Sequence, residues 1–410
     1  MSTSILIKNA RVIGAIREGC GDLYIHEGTI WAVGEHLKIP GVPVIDAAGR
    51  VLLPSFVDLH AHFRDPGFPQ KEDILTGSMA AAKGGYTAVS VMANTDPVCD
   101  HPQVAKYIRE KAREANLVEV FPVGSITRDL GGEELSDMDG LAPYVWAFSD
   151  DGMGVQRPDI MLRACQKAAS LLRPLISHCE YLDIPDRGLA EELMVSRDLW
   201  LSRYTGCHLH IAHVSTAETI KMLSAARSRG VPVTCEVTPH HLCLDRELEY
   251  TVNPPLPDRA TREHLVKALK EGQIDAIATD HAPHTPQDKE KGIPGISGIE
   301  TAFSLVYSRL VKEGRLPLSD LIKYMSSKPA RMLGLKKGEL RVGYDGDVVL
   351  IEEDESFTVT KESLCSKGTN SPLLGTILWG KVWATIHRGE VICINEKVKG
   401  RDFDDYRQVV

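Results

Sequence analysis

The chain lacks any apolar run approaching the roughly 20 residues needed to span a bilayer. Its first fourteen residues are interrupted by Lys8, Asn9 and Arg11, where a secretory signal needs a continuous apolar core. No basic block and no interleaving of arginine with aromatics occurs, and the formal net charge is -9. The electrostatic footprint of a nucleic-acid binder is therefore missing. The nine cysteines are odd in number and none forms a C-x-x-C pair, which argues against a disulfide framework and a structural zinc knuckle. Cys179, Cys207 and Cys235 lie in apolar stretches and read as small buried hydrophobes. These absences lead to the expectation of a cytoplasmic protein with neither nucleic-acid nor membrane partners. If such an acidic chain binds an anion, the positive charge must be local, from particular Arg, His or metal sites.

What is present is a chain of 410 residues, 43% hydrophobic and 25% charged, enough for a large barrel with an accessory domain. The first fifty residues read as short strands (5–7, 22–26, 29–33) punctuated by Gly14, Gly21, Gly28 and Gly34. From Phe56 the pattern alternates. Strands are expected at 57–60, 87–92, 118–123, 145–148, 175–177, 208–212, 231–236 and 274–278. Helices are expected at 74–83, 103–114, 160–169, 189–204 and 217–227. This alternation over roughly 280 residues is the signature of a (β/α)₈ barrel, an α/β fold. Beyond Leu340 the chain turns β-rich again. The expected organisation is a small composite β domain from 1–54 and 340–397, a barrel over 55–339, and a charged tail over 398–410.

A barrel of this kind carries its catalytic side chains at the C-terminal ends of its strands. His60 and His62 end the first strand, and residues two apart in a strand point to one side, so both imidazoles can reach one ion. Asp150-Asp151-Gly152, His178, His213 and Asp280 follow four further strands. Each alone is weak evidence, since a lone loop His or Asp is usually solvated or capping. Together they fall at one end of the barrel. Imidazole and carboxylate without thiolate suit Zn²⁺ at an open catalytic site, and so many ligands exceed what one tetrahedral zinc can use, so they suit two bridged ions. His208 and His210 lie within a strand and read as structural. His240 and His241 follow another strand at the ligand end of the barrel and compete for the ligand role, one of them being expected to support a ligand from behind.

At this point the residues resemble a family. His60-Ala61-His62-Phe63-Arg64-Asp65-Pro66-Gly67 is similar to the first-strand signature of type I dihydroorotases. Met92-Ala93-Asn94-Thr95, Phe148-Ser149-Asp150-Asp151-Gly152, His178-Cys179-Glu180, Ala212-His213-Val214-Ser215-Thr216, Glu236 through Leu242, Asn253-Pro254-Pro255-Leu256 and Thr279-Asp280-His281-Ala282-Pro283-His284 follow in the family's order. The early 46–54 and late 343–347 segments resemble the β domain of the wider amidohydrolase superfamily. The resemblance implies that His60, His62, Asp151, His178, His213 and Asp280 hold two Zn²⁺ ions, with Asp151 as the bridge. Many relatives bridge with a carboxylated lysine, but Tyr144-Val145-Trp146-Ala147-Phe148 contains none. It implies that Arg64, Asn94 and His284 hold the substrate carboxylate, with Asn253 nearby; apart from the resemblance, the loop itself is expected to supply backbone contacts near Pro294 and Gly295. Arginine suits that role because its fork grips a carboxylate bidentately.

The reaction so implied is the reversible cyclisation of N-carbamoyl-L-aspartate to L-dihydroorotate in pyrimidine (UMP) biosynthesis, through a zinc-activated hydroxide with Asp280 as general acid and base. A homo-oligomer and association with aspartate carbamoyltransferase belong to the same expectation. Three departures stand out: Ala93 in place of a proline, a shorter segment between His178 and His213, and Ile293-Pro294-Gly295 where many relatives have Pro-Phe-Gly. The rivals are an allantoinase or hydantoinase, whose substrates lack the carboxylate Arg64 would bind, and a catalytically dead structural subunit, which would have lost ligands. The polar 285–298 stretch has too few apolar residues to pack itself down and is expected to be a lid over substrate.

Overall fold

The computed structural model describes residues 4–14 and 18–408, so parts of the expected 1–54 segment and the last two residues of the expected tail lie outside the described residues. The chain begins with strands β1 (Ile5–Ile13), β2 (Glu18–His26), β3 (Thr29–Gly34), β4 (Val44–Asp46) and β5 (Val51–Pro54). Along β1 the buried Ile5, Ile7 and Val12 meet Leu23 and Ile25 of β2 in one apolar layer.

The barrel follows: β6 (Phe56–Ala61), β7 (Tyr86–Val91), β8 (Glu119–Pro122), a single pairing residue at Phe148, then β9 (Leu175–Ser177), β10 (Leu209–Ile211), β11 (Val233–Val237) and β12 (Ala276–Ile277). Neighbours pair in parallel throughout, Phe148 bridges Gly124 to Leu175, and His281 pairs with Ala61 to close the ring. The strand expected at 145–148 is thus reduced to Phe148, because the Tyr144 and Val145 N–H groups turn back onto the Leu141 carbonyl at 2.8 and 3.2 Å instead of pairing with a neighbour. Met92, Val123, Ala147, Ile176 and Ala212 fill one layer of the interior, and Leu59, Ala276 and Ala278 another.

The helices outside obey local rules. Pro102–Ala115 starts on a proline, ends on a left-handed Asn116, and buries Val104, Ala105, Ile108 and Ala112 along one stripe. Ile74–Lys83 is opened by a capping box between Asp73 and Thr76. Among the described residues no helix is long and apolar enough to cross a membrane.

After the barrel come β13 (Val348–Thr358), β14 (Ile377–His387), β15 (Glu390–Ile394) and β16 (Lys397–Val398). β13 pairs antiparallel with β5, Val348 opposite Pro54, so both ends of the chain share one sheet ordered β16-β15-β14-β13-β5-β1-β2-β3, with β4 beside β1. The sheet meets the barrel at a buried ion cluster. Lys337 Nζ contacts Asp347 just ahead of β13 and lies 3.0 Å from Glu119 of β8. In the segment expected to be a charged tail, Phe403 is buried against the sheet's apolar core and Tyr406 packs beside it.

Candidate active site

β6 brings Asp58, His60 and, one step past its end, His62 to one side. Asp58 is buried and accepts from the Thr279 N–H at 2.9 Å, tying β6 to the strand that carries Asp280. Burial pushes its carboxyl up to about 7. His60 donates through Nδ1 to Glu236 at 2.6 Å, which aims Nε2 at Asp151 (3.4 Å) and Asp280 (3.6 Å). His62 donates through Nδ1 to Asn94 Oδ1 at 2.9 Å, which aims its Nε2 at Asp280 (3.1 Å) and Asp151 (3.5 Å). His178 does the same with Glu180, donating through Nε2 at 3.1 Å. Its Nδ1 then lies 2.8 Å from His213 Nε2, and both face Asp151 Oδ1, at 3.4 and 3.6 Å.

All six expected ligands therefore converge. His60, Asp151 and His213 form one group with ligand atoms within 4.8 Å of one another, and His60, His62 and Asp280 another. Among the described residues, the buried His60 Nε2 and Asp151 Oδ1 have no hydrogen-bond partner. Buried polar atoms are rarely left so, and imidazole nitrogens converging on carboxylate oxygens at these distances are the donor set of a divalent cation. The electrostatics agree. Burial drives the His60 ring toward neutrality, but Asp151, Glu236 and Asp280 outweigh it and hold its pKa well above the usual value. Burial opposes ionisation of Asp280 too, yet His60 and His62 keep its carboxyl well below the ordinary range. The carboxylates at this spot call for positive charge.

The two adjacent aspartates part company here. Asp150 turns inward and accepts from the Ile126 and Thr127 N–H groups at 2.7 and 3.0 Å, whereas Asp151 faces the histidines. The backbone carries strain at the same place. Arg64, His213 and Asp280 have φ of 58°, 31° and 47°, a left-handed region that non-glycine residues enter at a cost of about 1–3 kcal/mol and that clusters at functional sites.

Beside the cluster, Arg64 donates through Nη2 to His284 Nε2 at 3.2 Å and through Nε to the Pro283 carbonyl at 3.4 Å. Burial and the neighbouring guanidinium push His284 down to about 3, so the ring is neutral and its Nε2 accepts. Asn253 is turned toward the metal-side residues: its Nδ2 donates to Glu180 at 2.7 Å. Gly295 lies against His284. A Cβ at Gly295 would come within 2.9 Å of His284 Cδ2 and Ala282 Cβ, and its φ of 142° is one that side chains rarely adopt. Pro294 precedes it in the same turn.

The 285–298 stretch does pack down, through one buried apolar residue, Ile296 against Val252 and Leu256, and otherwise by polar ties. Pro286–Glu290 is a helical turn with a Thr285–Asp288 capping box. Lys289 Nζ donates to the carbonyls of Thr251, Ile293 and Gly295 at 3.1, 2.8 and 3.1 Å. Asn370, from the segment after the barrel, accepts from the His284 N–H at 2.8 Å and donates to the Gly295 carbonyl at 3.0 Å.

Sequence reasoning passed over Glu236, Glu180 and Asn370 as functional positions. The signal for Glu236 was an acid inside the apolar strand Val233–Val237, where an uncompensated charge is costly. Glu236 also accepts from His210 at 3.1 Å, so that histidine stands one contact from His60. His208 bonds Thr234. His241 is spanned between Thr238 and the Pro254 carbonyl, and the buried His240 Nε2 has no hydrogen-bond partner among the described residues.

A family profile described as Dihydro-orotase-like matches residues 49–194, and one described as Amidohydrolase family matches residues 199–393. A dihydroorotase of Clostridium botulinum is 43% identical over 392 residues, covering 94% of this chain and 98% of the relative. One of Acetivibrio thermocellus is 40% identical, covering 96% and 100%. Among solved structures, a dihydropyrimidinase of Brevibacillus agri (TM-score 0.87, 24% identity) and an L-hydantoinase of Arthrobacter aurescens (0.86, 23%) each match 97% of both chains. At that identity these two establish the barrel-plus-sheet fold.

Proposed function

The chain belongs to the dihydroorotase family, and on that premise we propose how its own residues carry the reaction, the reversible closure of N-carbamoyl-L-aspartate to L-dihydroorotate in pyrimidine biosynthesis. His60, His62, Asp151, His178, His213 and Asp280 would hold two Zn²⁺ ions, Asp151 lying between them. The observation that carries this is the pair of buried, unpartnered atoms, His60 Nε2 and Asp151 Oδ1, 3.4 Å apart among converging ring nitrogens. Ions bound there would supply an acidified water and polarise the ring amide carbonyl.

The remaining work belongs to side chains. Asp280, whose Oδ1 lies 3.1 Å from His62 Nε2 and 3.6 Å from His60 Nε2 at the centre of the cluster, takes the proton of the attacking water. It returns that proton to the ring nitrogen as the C–N bond breaks; in the synthetic direction the same steps run backward, and water leaves as C–N forms. Arg64 and Asn94 Nδ2 hold the substrate's free carboxylate, and neutral His284 fixes the guanidinium. Asn253 supports His178 through Glu180, and the Pro294-Gly295 turn presents backbone to the substrate and seats His284. Alignment of this kind converts binding energy into rate.

A cytoplasmic location, homo-oligomeric assembly, association with aspartate carbamoyltransferase, and a division at 1–54, 55–339, 340–397 and 398–410 are parts of the same proposal. The deciding experiment is turnover of dihydroorotate against hydantoin and allantoin, with metal content measured on the same sample. Dihydroorotate is expected to be strongly preferred, at about two zinc ions per chain. A preference for either uncharged ring, or metal content near zero in active protein, would overturn the assignment.

A further inference from the structure

At the opposite end of the barrel from the histidines lies a cavity of about 520 Å³. Its walls are the C-terminal half of helix Pro102–Ala115, the start of β8, the 143–146 segment, Arg173 ahead of β9, and the His387-Arg388 turn after β14. That size falls within the roughly 300–1,000 Å³ of small-molecule sites.

Its charge is opposite to that of the chain. Arg109, Arg113, Arg173 and Arg388 line it, and the single acid among the lining residues is Glu119. Glu119 is already engaged, 3.0 Å from Lys337 and 2.5 Å from Arg388. Arg173 spends Nε and Nη2 on the Ala142 carbonyl, at 3.2 and 2.9 Å, which orients the guanidinium and leaves Nη1 without a bond among the described residues. Arg109 and Arg113 stand one helical turn apart, a spacing at which like charges repel, and neither has an ion pair or hydrogen bond among the described residues. In a chain of net charge -9, a concave cationic wall of this kind focuses field on an anion. The apolar side is aromatic: Phe121, Tyr144 and Trp146 are half-buried there, and the Trp146 indole is held by Ser90.

We propose that this cavity is a binding site for a nucleoside polyphosphate, its phosphates on Arg109, Arg113 and Arg173 and its base against the aromatic wall. Guanidinium forks suit phosphate oxygens, and a planar base suits an aromatic face. The site is separate from the catalytic end, so its test does not depend on the proposed reaction.

The test is calorimetry on the full, metal-loaded chain with ATP, UTP, inorganic tripolyphosphate and uridine. One nucleoside triphosphate is expected to bind per chain, more tightly than tripolyphosphate, while uridine alone binds weakly. The double variant Arg109→Glu/Arg113→Glu should bind about tenfold or more weakly, with unchanged ring-opening kinetics in the absence of nucleotide. Arg113→Ala, a single change at an exposed position, should give a partial loss and guards against misfolding of the double variant. Absence of binding, affinity that survives the double charge reversal, or tripolyphosphate binding as tightly as the nucleotides would each overturn the proposal.

Discussion

Arg64 is held from two sides, by His284 Nε2 and the Pro283 carbonyl, in a left-handed backbone conformation. Such a side chain arrives oriented, so its loss should register in substrate affinity and alignment and leave the metals alone. Arg64→Met is expected to cost about 2–5 kcal/mol in kcat/KM for dihydroorotate, because the buried substrate carboxylate loses its partner. Steady-state kinetics with zinc analysis checks this, and unchanged kcat/KM would refute the assignment. Asp151→Ala should behave differently, losing metal and nearly all activity together; a variant with undiminished metal content would overturn the proposed role of Asp151 as a ligand. Glu236→Gln tests the position that sequence reasoning missed. Its carboxylate accepts the His60 Nδ1–H, and removal of such an outer carboxylate typically lowers metal affinity by about 10–100-fold. Competition against a chelator reads that directly, and wild-type affinity would reduce Glu236 to a packing role.

At the scale of elements, the segment after His284 is a tied-down turn whose key is Lys289. One ammonium satisfies three carbonyls that no helix or strand would otherwise pair, while Asn370 clamps His284 to Gly295 from outside the barrel. A substitution at Gly295 clashes with His284 and strains the backbone whether or not the loop moves, so it cannot diagnose a lid. Lys289→Met can. Amide exchange across 286–296 should quicken and kcat/KM should fall through misplacement of His284, with metal content unchanged. Exchange as slow as in the wild type would mean that the capping box alone holds the turn.

For the whole molecule, barrel and sheet join through an apolar seam, with Val349, Ile351 and Leu378 in one core with Phe56, Tyr86 and Phe303, and at its polar point through Lys337, buried between Asp347 and Glu119. Burial pushes the Asp347 carboxyl up, but Lys337 and His387 beside it win and hold it well below the carboxylate range. A depressed carboxyl contributes stability above its unfolded pKa of about 4 and loses it as pH falls further. Asp347→Asn should therefore cost about 3–5 kcal/mol at neutral pH, since it strips a buried lysine of a partner. The gap between variant and wild type should narrow below about pH 4. Denaturant melts at pH 7 and at acid pH check it; a gap that stays constant with pH would mean that the effect comes from packing and not charge.

What the sequence alone determined was everything governed by short-range periodicity. His60 and His62 share a face because strands alternate with period two, and the ligand candidates cluster at one end because a barrel strand ends where its helix-bound loop begins. The sheet was legible as two β-rich ends, although nothing local said that Val348 would pair with Pro54. Tertiary structure decided the partners. Alternation cannot say that Asp151 faces the histidines while Asp150 caps backbone N–H groups, since both are adjacent acids at the same strand end. Nor could it join Glu236 to His60 across 176 residues, or Asn370 to His284 across 86. Those contacts exist only once the ring of strands closes and the C-terminal segment folds back, for a repeat pattern specifies the side a residue takes and closure specifies what it meets there.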